Sequence, residues 1–239
     1  MEKYLENITI PDTIKRIKLD VGLSYGANQS NVWFDNDPAE ELFVFGFEPN
    51  PDCLAVLNAG DIKVQHPAHP PGIANKYLKS RFAIIPVALS NVEEEKTMDF
   101  FMMQRDCGTS SLYNPVDPFI GPVKQVVKTP VFSLKHFFDA FKWWDRFPYI
   151  EYIKIDAQGS DFDIILGARE YLKDRVVYIT AEPEIYQYAG CGHNNEHNMT
   201  EYMKSIGFER VHHPNTHDPT YINTRFGHLK DDIYIYQRG

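Results

Sequence analysis

The chemistry open to this sequence rests on four acids placed where apolar runs end: Asp20, Glu48, Asp156 and Glu182. Asp20 stands just before the glycine turn of Lys18-Leu19-Asp20-Val21-Gly22-Leu23-Ser24-Tyr25-Gly26. In an open α/β sheet a ligand sits outside the carboxyl ends of the strands, and glycine there lets the backbone approach it. The G-x-G-x-x-G pattern that brings a helix N-terminus to a pyrophosphate is absent, because Leu23 and Ser24 follow Gly22. An acid beside the turn repels pyrophosphate and suits a cationic ligand, one bearing an amino group or a sulfonium; the bland alternative is an ordinary strand-to-helix turn. Glu48 ends the second apolar run, and acids about 20 residues beyond such a turn commonly hydrogen-bond ribose hydroxyls. A helix cap or a solvated acid is its alternative. Asp156 and Glu182 end the fourth and fifth runs. Neighbouring strands lie about 4.8 Å apart, so if these two are neighbours both acids face one crevice. Converging carboxylates can hold a substrate hydroxyl, act as a base or bind a divalent cation; alternatively, Glu182 orders a loop.

These acids need a sheet to carry them. The 239 residues are 43% hydrophobic and 24% charged, which is globular usage and excludes wholesale disorder. Runs at 14–21, 42–47, 82–89, 149–155 and 176–181 alternate with amphipathic segments. That alternation predicts an α/β fold with a mostly parallel sheet, with two late strands at 208–211 and 233–236. Helices are expected after Ser133 (Leu134, Phe137, Phe138 and Phe141 on one face), after Ser160, and through Met199, Tyr202, Met203 and Ile206 up to Gly207. Ser160-Asp161-Phe162-Asp163 reads as a capping box, with Phe162, Ile165, Leu166 and Leu172 on the apolar face. Residues 58–80 read as loop. Residues 92–132 read as an insertion in a single domain spanning 1–239: an antiparallel pair, 96–104 and 124–132, around a Gly-, Ser- and Pro-rich lid loop.

Several partners are excluded by composition. Lys plus Arg total 24 against 33 Asp plus Glu, a net charge of −9. Phosphate backbones repel such a chain unless it carries a basic stripe, and the nearest candidate is only Lys15-Arg16-x-Lys18. The longest apolar stretch, 82–89, is broken by Pro86 and falls far short of the roughly 20 residues that span a bilayer. Residues 1–14 hold Glu2, Glu6 and Asp12 and no apolar run, which gives no sign of a secretory leader. Cys53, Cys107 and Cys191 are far apart, odd in number and form no CxxC, so a reduced cytoplasmic chain without a disulfide framework is expected.

The order of these motifs resembles the FkbM-type S-adenosylmethionine-dependent methyltransferases. The resemblance rests on Leu19-Asp20-Val21-Gly22-x-x-x-Gly26, on Phe47-Glu48-Pro49, on Ile153-Lys154-Ile155-Asp156-Ala157-Gln158-Gly159-Ser160-Asp161 followed by Ile165-Leu166-Gly167-Ala168, and on Glu182. Gly207-Phe208 and Asp232-Ile233-Tyr234 look like the family's last two strands. Leu23 and Ser24 stand where the family usually has Ala and Asn, and Asp161 where it usually has Glu. The resemblance implies a class I methyltransferase fold, Rossmann-like, with an antiparallel last strand, and O-methylation of a sugar or natural-product hydroxyl. Asp20, Gly22, Ser24, Tyr25 and Gly26, with Asp156, are then expected around the methionine end of S-adenosylmethionine. Glu48 with Pro49 is expected at the ribose, and Ala88, Leu89 and Ser90 near the adenine.

Transfer to a hydroxyl also needs its proton removed, by a base or a metal. Asp156 is the first choice of base, with Glu182 helping; a carboxylate is a weak base for an alcohol, so a raised pKa or a late proton transfer is required. Ser110 and Ser111 in the insertion suit a polyol acceptor, and Gln158 and His193 are further candidates to contact it. A plain hairpin loop is the alternative for the serines. His193 and His197 would share a helical face and could hold a divalent metal, but Asn194 and Asn195 look like caps, which puts His193 before the helix; a metal is not expected. Tyr186 and Tyr188 could stack on a sugar face or belong to the core. A donor-binding fold retained without catalysis, as a partner subunit, is the reading from another class.

Overall fold

A computed structural model describes residues 1–59, 75–78, 80–213 and 216–230. In chain order its elements are α1 (Glu2–Leu5), β1 (Arg16–Val21), α2 (Asn28–Asp35), β2 (Leu42–Phe47), α3 (Pro51–Ala59), α4 (Asn75–Leu78), β3 (Phe82–Ile85), β4 (Ala88–Leu89), β5 (Lys96–Met103), β6 (Val123–Phe132), α5 (Leu134–Ala140), β7 (Ile150–Ile155), α6 (Asp161–Gly167), α7 (Tyr171–Arg175), β8 (Val176–Ala181), α8 (Glu196–Ser205), β9 (Phe208–Val211) and β10 (Thr220–Asn223). Among the described residues seven strands form one sheet in the order β3-β2-β1-β7-β8-β10-β9. Neighbours from β3 to β8 are parallel, and β10 runs antiparallel to both β8 and β9.

The five apolar runs were legible because the parallel strands are covered on both faces, which replaces polar alternation with continuous apolar sequence. All residues of β2 and β8 are buried. One face packs the larger core, with Phe45, Phe47, Phe137, Phe138, Ile165 and Met203; the other packs Trp33, Phe34, Tyr152 and Tyr178.

The run at 82–89 is two strands. Pro86 has no N–H to continue a ladder, so β3 stays in the large sheet while β4 pairs in parallel with β6 in a second sheet of order β4-β6-β5. The inserted antiparallel pair is β5 with β6, as expected. A strand without a signature in the sequence is β10, whose Thr220 joins a buried hydroxyl chain: Tyr152 Oη to Thr180 Oγ1 (2.5 Å) and Thr180 Oγ1 to Thr220 Oγ1 (2.6 Å). The expected strand at 233–236 lies outside the described residues. Of the expected loop at 58–80, the ends belong to α3 and α4, and residues 60–74 and 79 lie outside the described residues.

Helix starts follow their signals unevenly. Ser133 caps α5 in a capping box closed by His136, and Asn195 caps α8, which places His193 in a 3-10 turn before that helix. At α6, Ser160 occupies the N-cap position, yet its side chain makes no cap bond. The expected box with Asp163 does not form, because Asp163 turns outward to Tyr113 and His193. Leu172 belongs to the separate α7. Gly167 in α6 is required by packing: a Cβ there would lie 2.6 Å from the Ser90 carbonyl oxygen. Among the described residues no helix is long and apolar enough to cross a membrane.

Candidate active site

A cavity of about 260 Å³ opens at the carboxyl ends of β1, β2 and β7 and is walled on its outer side by residues 106–110 of the insertion. Asp20, Gly22, Ser24, Glu48, Pro49, Ala88, Leu89, Ser110, Asp156 and Gln158 all line it.

The floor is the turn after β1. Asp20 is 1% exposed and accepts from the Ser30 backbone N–H (3.0 Å) and hydroxyl (2.5 Å), so the first turn of α2 holds it. Burial pushes its carboxyl up, against the pull of the Lys154 ammonium and the two Ser30 bonds. Gly22 has φ +83°, and a Cβ there would lie 1.8 Å from the Asp156 carbonyl oxygen; the glycine serves the close approach of the β1 and β7 ends. Ser24 adopts φ +51°, a left-handed conformation that aims its N–H at Glu48 Oε2 (2.7 Å). Glu48 Oε1 accepts from the Asn50 N–H (2.8 Å). Burial pushes Glu48 up to about 7 against these two bonds, helped by the charges of Asp156 and Asp20. Each oxygen keeps a lone pair for a further donor.

Three expected cofactor residues stand off this wall. Tyr25 turns its hydroxyl to the Cys107 thiol. Gly26 packs against Asn28, and Asn28 and Gln29 take the wall position instead. Ser90 donates its N–H to the Phe132 carbonyl (2.9 Å) and turns its own carbonyl towards Gly167, so the cavity ends at Leu89.

β7 and β8 are neighbours with Ile155 opposite Ala181, so Asp156 and Glu182 emerge side by side. Asp156 receives the Lys154 ammonium at 2.6 Å and the Gln158 amide at 2.8 Å. Burial alone would raise Asp156; the charge and hydrogen bonds of Lys154, with those of Gln158 and Glu182, outweigh it and hold the carboxyl below the usual range. That departs from the raised pKa a lone carboxylate base requires. The raised group is Glu182, pushed to about 8 by burial, by the charge of Asp156 and by their hydrogen bond. Glu182 is off the cavity wall and meets it through Gln158, whose amide also reaches Glu182 Oε2 (3.3 Å).

Two charged groups here were missed, one half-buried and one fully buried. Lys154 lines the cavity, and its ammonium is held protonated by Asp156 and Asp20 against burial. Its sequence signal was a charge inside an otherwise apolar strand, Ile153-Lys154-Ile155. Asp161 is fully buried and accepts from the Ala157 and Glu182 N–H groups (3.3 and 3.2 Å). Burial and the Asp156 charge push it to about 7.

On the insertion side, Ser110 Oγ accepts from the Met103 N–H (3.0 Å) and bonds Asn50 (3.1 Å) at the wall. Ser111 is 1% exposed and donates to the Gln158 carbonyl (2.6 Å). It clips the insertion to the turn after β7 and is off the cavity wall. Tyr188 is buried too, bonding the Thr109 carbonyl (2.7 Å) and Gln158 Oε1 (3.0 Å), whereas Tyr186 is exposed. His193 Nε2 lies 3.0 Å from Asp163 Oδ1, and Tyr113 bonds the other Asp163 oxygen. Among the described residues no group of three or more His, Cys, Asp or Glu side chains could hold a metal ion.

A mostly parallel seven-stranded sheet with an antiparallel strand next to β8, and acids at successive strand ends around one cavity, defines a Rossmann-like methyltransferase fold. The family model described as the methyltransferase FkbM domain matches residues 20–210, so the chain belongs to the FkbM methyltransferase domain family. No curated protein and no solved structure matches it significantly.

Proposed function

We propose that this methyltransferase takes its methyl group from S-adenosylmethionine and transfers it to a hydroxyl of a saccharide, glycoconjugate or natural product. The observation that carries the reading is the convergence of Asp20, Glu48 and Asp156 on one cavity. That donor set suits a ligand with an ammonium, a sulfonium and a ribose diol. The hydroxyls of Ser24 and Ser160, both on the wall, are buried without a hydrogen-bond partner in the protein, an arrangement that a polar ligand would complete. Glu48 would hold the ribose hydroxyls, Asp20, Gly22 and Asp156 the methionine end, and Pro49, Ala88 and Leu89 the adenine side. When bound, the donor supplies an electrophilic methyl carbon for in-line displacement.

The chain's own part is alignment and proton removal. Asp156, kept ionised and fixed by Lys154, accepts the acceptor hydroxyl's hydrogen bond. Asp156 and Glu182 share a hydrogen bond and titrate as a pair, and the proton affinity of that pair near pH 8 comes from Glu182. The base is therefore the pair, and Asp156 alone would be too weak. The net charge of −9 favours a small-molecule or saccharide acceptor over nucleic acid, and the cysteine usage favours a cytoplasmic setting. Release of S-adenosylhomocysteine against a panel of sugars, nucleotide sugars and polyols tests the reading. Turnover with at least one hydroxylated acceptor is expected; donor binding with no turnover on any of them would leave a non-catalytic subunit.

A further inference from the structure

The chemistry above leaves the cysteines unused. Cys191 is buried and donates its thiol to the Tyr188 carbonyl (3.0 Å). Cys53 and Cys107 differ: separated by 54 positions in sequence, their sulfurs stand 2.8 Å apart. That is closer than carbon atoms in optimal contact, roughly 3.5–4.0 Å, and not far from the ~2.04 Å of a disulfide bond. Cys53 lies on α3, just beyond Glu48, and is fully buried. Cys107 is partly exposed, in a 3-10 turn of the insertion, and lines the cavity. Asn50, the residue before α3, ties the same turn through its Nδ2, which donates to the Cys107 carbonyl (3.4 Å) and to Ser110 Oγ (3.1 Å), and Lys124 on β6 pairs with Asp52 of α3. The outer wall of the cavity thus meets the start of α3 through hydrogen bonds from Asn50 at the point where the two thiols meet.

We propose that Cys53 and Cys107 are a thiol–disulfide modification site, closed by a small disulfide such as glutathione disulfide, that clamps residues 106–113 to α3 over the cavity. The accessible Cys107 thiolate attacks glutathione disulfide, forming a mixed disulfide and releasing one glutathione. Cys53 then attacks the Cys107 sulfur and releases the second, so two protein thiols lose two electrons and two protons and glutathione disulfide gains them. The order follows from access: Cys53 is fully buried and Cys107 partly exposed, which makes Cys107 the first nucleophile and Cys53 the resolving partner. The consequence for the donor, slower exchange past the clamped wall, rests on the function proposed above.

The test treats the full chain with glutathione disulfide and reads three quantities: disulfide-linked peptides by mass, amide hydrogen exchange in 106–113, and dissociation of S-adenosylhomocysteine. The expected result is a Cys53–Cys107 link, exchange in 106–113 slowed roughly tenfold, and ligand dissociation slowed about as much, all reversed by dithiothreitol and none seen in Cys53→Ala. A mixed glutathione disulfide at Cys107 with no Cys53–Cys107 link, or a link that leaves exchange in 106–113 unchanged, overturns the clamp. If the reduced chain fails to bind S-adenosylhomocysteine, the donor assignment falls, while mass and exchange still decide the clamp.

Discussion

At the residue scale, the site depends on how neighbours divide charge among the acids at the strand ends. Lys154 keeps Asp156 ionised, and desolvation together with the Asp156 charge keeps Glu182 protonated near neutral pH. If the pair is the base, its active form is the deprotonated one, so kcat should rise with pH through about 8. Rate–pH profiles check this: Glu182→Gln should flatten that limb, and in Asp156→Asn turnover at saturating donor should fall by roughly 10²-fold or more. Full turnover in Asp156→Asn would remove the pair from the mechanism. Ser24 supplies a second residue-scale prediction. Its φ of +51° is a conformation Asn and Gly adopt more readily than Ser, which gives a physical reason for the Asn usual in this family. Ser24→Asn is expected to raise the melting temperature by a few degrees, measured without ligand. Asp20, Glu48 and Asp156 were legible in the sequence because an acid that terminates an apolar run marks the carboxyl end of a buried strand, where ligands sit. Lys154 and Asp161 were not, because their place at the site depends on partners brought in by β1 and β8.

At the scale of elements, the strands were legible and the joints between them less so. Continuous apolar runs mark strands covered on both faces, but nothing local in 82–89 says that Pro86 hands the chain from one sheet to another. β10 escaped because Thr220 and Asn223 spend their polar groups on buried partners, Thr220 in the hydroxyl chain and Asn223 on the carbonyls of Leu172, Lys173 and Val176. The cap of α6 was misread for a related reason: Asp163 finds Tyr113 and His193, which the sequence places 50 and 30 positions away. The α6 packing gives a direct check. A methyl group at Gly167 would strike the Ser90 carbonyl at 2.6 Å, with the Asn91 backbone also close. Gly167→Ala is therefore expected to cost about 1–3 kcal/mol in a urea titration, although Ala is ordinarily the better helix former.

At the scale of the whole molecule, the acids gathered at one end of the sheet make stability depend on pH. Glu48 and Asp161 are pushed to about 7 and Glu182 to about 8, from ordinary values of 4.5, 3.8 and 4.5. In that interval the folded chain binds protons that the unfolded chain has released. Their contribution is fully present below the ordinary values and is lost as pH rises through about 7 to 8. The melting temperature of the ligand-free protein should accordingly fall between about pH 6 and 8.5, with a shallower slope in Glu182→Gln; a melting temperature that rises steadily over this range would refute the charge assignment. A cationic donor offsets the same excess of negative charge, which links the stability of the fold to the ligand proposed for it. The donor site is tested by calorimetric titration of S-adenosylhomocysteine into the wild-type chain and into Glu48→Gln at about pH 8. Saturable one-to-one binding to the wild type is expected, weakened at least tenfold in Glu48→Gln, because an amide cannot accept from Ser24, Asn50 and two ribose hydroxyls together. Absence of binding to the folded wild type at millimolar ligand, or equal binding to both chains, would remove S-adenosylmethionine from this cavity.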